Sequence, residues 1–211
     1  MDTLPLGGGR PCLRPNVSHD EALAEFSRGG WVGRLARGPL RRLADIYIPH
    51  RVYRVAWRDG EASKVLFLAV DCVCADFDSY MFPAVPAGAE LIEVRTRNCP
   101  EPRLSKGQAR SAALDRARRL AYERGLLRIK DLSLAADLVL PELLIPYWAG
   151  FFGRGERASR VEVLDAVRRR QEGGKLRAFV AKWLTIDSCI SNGLYYPAGG
   201  YHENCREPEI A

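Results

Sequence analysis

The chain has 211 residues, of which 47% are hydrophobic and 27% charged, and carries a formal charge of +6. At ~150 residues per domain this is one large domain or two small ones, long enough to bury roughly 70% of its unfolded surface without a metal or a disulfide. That balance excludes the disordered, collagen-like and disulfide-scaffold classes. The longest uncharged apolar stretch, Leu143 to Gly153, has 11 residues, whereas a membrane-spanning helix needs ~20.

Of the 32 basic residues, 27 are arginine. A guanidinium grips phosphate as a bidentate fork, but a GC-rich coding sequence produces the same skew, and 26 acidic residues are interspersed. The N-terminus, Met1-Asp2-Thr3-Leu4-Pro5, has no basic segment followed by an apolar one, so it does not read as a secretory signal. The expectation is a cytoplasmic protein whose six cysteines are mostly reduced.

Residues 1–17 are rich in Gly and Pro and read as a flexible arm. Ser18-His19-Asp20-Glu21 is a capping box that opens a helix over Ala22, Leu23 and Phe26, stopped by Gly29-Gly30. The segment Ile46-Tyr47-Ile48-Pro49-His50 then runs through aromatic residues to a turn at Asp59-Gly60, followed by the β-branched run Val65 to Val73. An Asp-Gly between two strand-like runs is a hairpin signal. Ala89 to Val94 alternates like a further strand, and Asn98 to Pro102 is a loop.

The same order then recurs. Ser105-Lys106-Gly107-Gln108 is a second capping box, opening a helix to about Gly125 with Ala109, Ala113, Ala117, Leu120 and Ala121 at helical period. Leu126 to Leu140 fits a strand or, around Ala135-Ala136-Asp137, a short helix. Leu144-Ile145-Pro146-Tyr147-Trp148, a turn at Arg154 to Arg160 and Val161 to Val167 form the counterpart of the first hairpin. Each second strand contains Asp-x-Val, as Asp71-Cys72-Val73 and Asp165-Ala166-Val167. Gly174 to Thr185 reads as a helix, and 186–211 as a Gly/Tyr-rich tail.

The expected fold is therefore α+β: two similar helix-plus-β-hairpin units, an internal duplication over 18–98 and 105–185, packed around a mainly antiparallel sheet. Two copies fit a pair related by pseudo-twofold symmetry; a solenoid needs three or more.

Candidate chemistry is sparse. Asp71 and Asp165 match in position, and carboxylates can serve as general acids or bases when their substrate lies within hydrogen-bond reach; the structural alternative is that each bonds the turn after its strand. His50 is the remaining catalytic candidate, matched by Tyr147 in the second unit. A metal site would need four close ligands, and Cys189, His202 and Cys205 form a weak set in the tail. No cofactor is implied. Arg168, Arg169, Arg170, Lys175 and Arg177 form a basic cluster able to contact a polyanion, without the interleaved aromatics of single-strand binders. Tyr195, Tyr196 and Tyr201, with Tyr147 and Trp148, are candidate interaction residues, because Tyr offers contact area with a polar tip.

Three functions follow. The first is a non-enzymatic protein-interaction or assembly module, self-associating or binding a protein partner, with a groove between its units. The alternative is nucleic-acid binding through the Arg168–Arg177 cluster, and a third reading is an enzyme with its site between the units.

Overall fold

The computed structural model describes residues 8–28, 38–59, 62–123, 132–154 and 160–186. Its elements are β1 (Arg10–Leu13), α1 (His19–Ser27), β2 (Leu40–Asp59), β3 (Ala62–Asp71), β4 (Tyr80–Phe82), β5 (Leu91–Val94), α2 (Lys106–Glu123), β6 (Leu132–Phe152), β7 (Arg160–Asp165), β8 (Arg170–Gln171) and α3 (Gly174–Ile186). Helices and one eight-stranded mixed sheet make it an α+β protein.

Both capping boxes form. Ser18 Oγ accepts the Glu21 amide while Glu21 accepts the Ser18 amide, and Ser105 and Gln108 exchange the same pair of bonds. The box satisfies amides that have no partner inside the first helical turn. α2 turns Ala109, Ala113, Ala117 and Ala121 inward, all fully buried, and this run of small residues allows close approach to the sheet. On its outer side Asp115 pairs with Arg118 and Arg116 with Glu123.

The sheet runs β4-β3-β2-β6-β1-β5, with β7 added to β6 and β8 to β7. The β1–β6 contact is parallel and every other pairing is antiparallel. β2 and β6 have 20 and 21 residues, against an ordinary ~5–6, and pair with each other along their whole length. Ile48 stands opposite Ile145, with Tyr47 opposite Pro146 and Pro49 opposite Leu144. From this midpoint each long strand goes on to form a hairpin, β2 with β3 and β6 with β7. Both segments singled out in the sequence are thus antiparallel hairpins, and the Ala135-Ala136-Asp137 ambiguity resolves as strand.

The mid-strand prolines are tolerated because of where they fall. The ladders of β3 and β7 end at His50–Asp71 and Tyr147–Asp165, one residue beyond each proline. The carbonyls of Pro49 and Pro146 still accept from Cys72 and Ala166 at 2.7 and 3.1 Å. Their missing N–H groups point to the same side, where no ladder bond is required.

Successive side chains of a strand face opposite ways, and three clusters result. Ile46, Ile48 and Val52 of β2 join Leu143, Ile145, Tyr147 and Ala149 of β6 beneath Leu176 and Val180 of α3. On the other face, Tyr53, Val55, Leu68 and Val70 pack on α2, while Leu43, Phe152 and Leu164 pack on Phe26 of α1. Register shifts near Val52 re-aim the strands between these regions.

The sequence places residues 10–13 in the arm, whereas here they form β1, with Cys12 fully buried. β3 ends at Asp71, so Cys72 and Cys74 lie in the following loop.

Because Ile48 and Ile145 are both wholly buried at the midpoint, Ile48→Ala and Ile145→Ala should each cost about 2–5 kcal/mol. Urea denaturation should show this as a lower midpoint with an unchanged slope.

Candidate functional site

The two matched aspartates end their strands in the same way. Asp71 Oδ1 accepts the amides of Val73, Cys74 and Ala75 at 3.0, 2.8 and 3.0 Å, and Oδ2 accepts that of Phe77. Asp165 Oδ1 accepts the amides of Val167 and Arg168, both at 2.8 Å. In each loop the fourth residue after the aspartate is left-handed, Ala75 with φ 58° and Arg169 with φ 56°. A carboxylate that accepts several N–H groups offsets the cost of its own burial.

These loops meet in a buried polar cluster on the α3 face of the sheet. The Tyr80 hydroxyl, from β4, donates to Asp165 Oδ2 and is hydrogen-bonded to Tyr147. The Arg168 guanidinium lies 3.4 Å from the Tyr80 ring centroid and donates to Ser79 O. This stacking combines a cation–π attraction with a backbone hydrogen bond. Burial pushes the hydroxyls of Tyr80 and Tyr147 far above the ordinary tyrosine range, with the Asp165 charge adding to the effect.

His50 completes the cluster at 1% exposure. Its Nδ1–H donates to Ile48 O at 2.9 Å, which fixes the tautomer, and its ring packs edge-on against Tyr80. Nε2 has no hydrogen-bond partner. Burial lowers its proton affinity, opposed by Asp71 and the Ile48 bond and reinforced by Arg168. The imidazole is packed on all sides, and its burial favours the neutral form.

The structure therefore gathers His50, Tyr147, Asp165 and Arg168 around Tyr80, with Asp71 beside His50; no sequence pattern singled out Tyr80. Tyr80 lies in an aperiodic stretch and reaches Asp165 only because β4 adds to the edge of β3. Trp148, the other interaction candidate within the described residues, donates Nε1–H to Val17 O at 3.0 Å and meets His19 edge-on.

The basic cluster is engaged internally as well. Arg169 bonds Glu21 and Asn16 O, Arg170 pairs with Asp78 at 2.8 Å and with Glu172, and Lys175 pairs with Asp76 at 3.2 Å. Arg177 Nε is buried without a partner.

Burial pushes the Cys12 thiol up to about 12 and Cys72 up to about 11, so neither is a thiolate nucleophile near neutral pH. Among the described residues no group of three or more His, Cys, Asp and Glu is placed to hold a metal ion, and no helix is long and apolar enough to cross a membrane. Cys189, His202, Cys205, Tyr195, Tyr196 and Tyr201 lie outside the described residues. No protein family, curated protein or solved structure matches the chain.

Two outcomes follow. Tyr80→Phe leaves Asp165 Oδ2 without its donor inside the protein, and should cost about 1–3 kcal/mol in chemical denaturation. The second concerns pH. Unfolded His50 takes up its proton near the ordinary 6.5 and the native residue at lower pH, so the unfolded chain binds more protons below 6.5. Stability should be undiminished by His50 above that value and fall as pH drops below it. Denaturation at pH 7.5 and 5.5 should show the fall in the wild type and a smaller one in His50→Leu.

Proposed function

We propose that this protein is a non-enzymatic interaction or assembly module of the cytoplasm, built from two diverged copies of one helix-plus-hairpin unit, with the outer edge of β6 as its contact surface. The observation that carries the reading is that edge. β6 pairs with β2 on one side, but on the other it meets β1 at Leu144 and β7 from Tyr147 onward. Among the described residues no strand pairs with the outer side of 132–141, where one side chain, Arg110 of α2, bonds the Ala136 carbonyl at 2.8 Å. Unpaired strand edges are templates for other chains, and proteins that must avoid this place charges there. This stretch carries one charge, Asp137, among Leu132, Leu134, Ala135, Ala136, Leu138, Val139 and Leu140.

The cluster under α3 supports a non-enzymatic role. Its carboxylates are occupied by backbone amides and by Tyr80, and its histidine is sealed from solvent. The same cluster fills the junction between the hairpins, so contact is assigned to an edge and not to a groove between the units.

Support for two diverged copies comes from the midpoint at Ile48 and Ile145, the matching proline positions and the two alike aspartate loops. The helices agree. α1 packs over the start of β2 and over β7, and α2 over the start of β6 and over β3, as a local twofold axis through the midpoint would place them.

Nucleic-acid binding is the second reading, and the internal partners of Arg169, Arg170 and Lys175 weigh against it. Phosphate contacts would make binding fall steeply with salt; a gel shift at low salt with single- and double-stranded DNA and RNA should show no retardation.

The interaction reading is tested with a photoreactive residue at exposed Ser133, beside the free edge, and a control at Arg118 on α2. Irradiation in cells should give an adduct of discrete mass from position 133 and none from position 118. Equal labelling of both positions, or of neither, would overturn it.

A further inference from the structure

We infer that the partner at the β6 edge is a second copy of this chain, paired antiparallel about Ala136. This rests on the reading just given and adds the identity of the partner.

A closed pair of identical chains uses the same patch twice, so the patch must complement itself. Around Ala136 the edge does so. Leu134 and Leu138 are equidistant from it, as are Leu132 and Leu140. In a strand pair centred on Ala136, Leu134 of each copy lies opposite Leu138 of the other and Ala136 lies opposite itself. Ala135 falls opposite Asp137, so the two carboxylates do not confront each other directly. Each Asp137 also keeps its own Arg54, at 3.9 Å.

The backbone suits the same register. Pro49 O accepts from Cys72 on the β3 side, so by alternation Arg54, Ala56 and Arg58 face β6 and pair with Asp137, Ala135 and Ser133; Ala136 between them turns its carbonyl outward, where the Arg110 Nε–H donates to it at 2.8 Å. In an antiparallel ladder the N–H and C=O of one residue point to the same side. Ala136 therefore presents both outward, and Leu134 and Leu138, two positions away, do likewise. A second copy in this register would exchange reciprocal N–H···O bonds at Ala136–Ala136 and at both Leu134–Leu138 pairs. One arginine side chain shields the edge at its centre, and a carbonyl has a second lone pair for the incoming amide.

The corresponding stretch of the other long strand supplies the contrast. Residues 40–46 of β2 also lack an outer strand among the described residues, yet they carry Arg41, Arg42 and Asp45. That is the usual protection of an edge that must stay unpaired. β6 at the same place in its hairpin has leucine and alanine. Side chains at Leu134, Ala136 and Leu138 already pack with α2, so they are held in place before any partner arrives.

The test is the mass of the purified full chain in solution, by light scattering or sedimentation across micromolar concentrations. The expected result is twice the 23.6 kDa of one chain, and a monomer at every concentration would overturn the inference. Proline lacks the N–H that Ala136 would donate to the partner while sparing the bonds to β2. Ala136→Pro should therefore be monomeric where the wild type is dimeric, with its cooperative melting retained; a folded variant that still dimerises would overturn the inference. Should that variant not fold, hydrogen exchange of the wild type decides. The amides of 134, 136 and 138 should become protected as dilution is reversed. Fast exchange in the dimer, or protection independent of concentration, would overturn the pairing. An adduct at Ser133 in cells with a monomeric purified protein would sink self-pairing and leave the interaction reading standing.

Discussion

The pairing of β2 with β6 holds the molecule together, and its midpoint is the contact of Ile48 with Ile145. Strands of this length are unusual because a single sheet face rarely offers enough burial along them. Here each strand serves three regions. The centre of each lies beneath α3, and its two ends pack one on α1 and the other on α2, with irregular register near Val52 turning the side chains from one face to the other. Loss of the central contact would separate two hairpins, each of which is marginal by itself in water.

Burying two strand ends at one junction sets the second constraint. A chain that stops a strand inside a protein leaves amides without partners, and each costs free energy comparable to a lost hydrogen bond. Asp71 and Asp165 answer that cost by accepting the amides of their loops. The solution brings two carboxylates into the interior, where Tyr80, Tyr147 and Arg168 surround one of them. His50 fits there because burial disfavours an imidazolium, while a neutral imidazole needs only the one internal hydrogen bond to Ile48 O. The constellation that most resembles acid–base machinery in composition is thus explained by the needs of the fold.

Charge is distributed in keeping with this. Arg168, Arg169 and Arg170 look in sequence like a polyanion patch. In three dimensions they reach a tyrosine ring, α1 and the acidic loop at Asp76–Asp78 respectively or through a neighbour, tying the second hairpin to α1 and to the segment before β4. Among the described residues the outer rim of β6 carries few charges of its own, an apolar pattern to which the sequence alone gives no role.

Local signals determined the capping boxes at Ser18 and Ser105, the alanine stripe of α2, the two hairpins and the helix from Gly174, because caps, periodicity and turns depend on neighbours a few residues away. The strand at 10–13 was hidden by its Gly/Pro-rich surroundings, since β1 exists through its pairing with β5. Tyr80 likewise had no local signature, as its role depends on Asp165, which is 85 residues away. The start of β6 stayed ambiguous because Ala135 and Ala136 suit either helix or strand until β2 supplies the backbone partners. The residue types at the junction and the order of the elements were thus written in the chain itself. Which carboxylates become buried, which arginines find partners and which edge stays without a strand among the described residues were decided by long-range strand pairing, where the energy lies in contacts that no local pattern encodes.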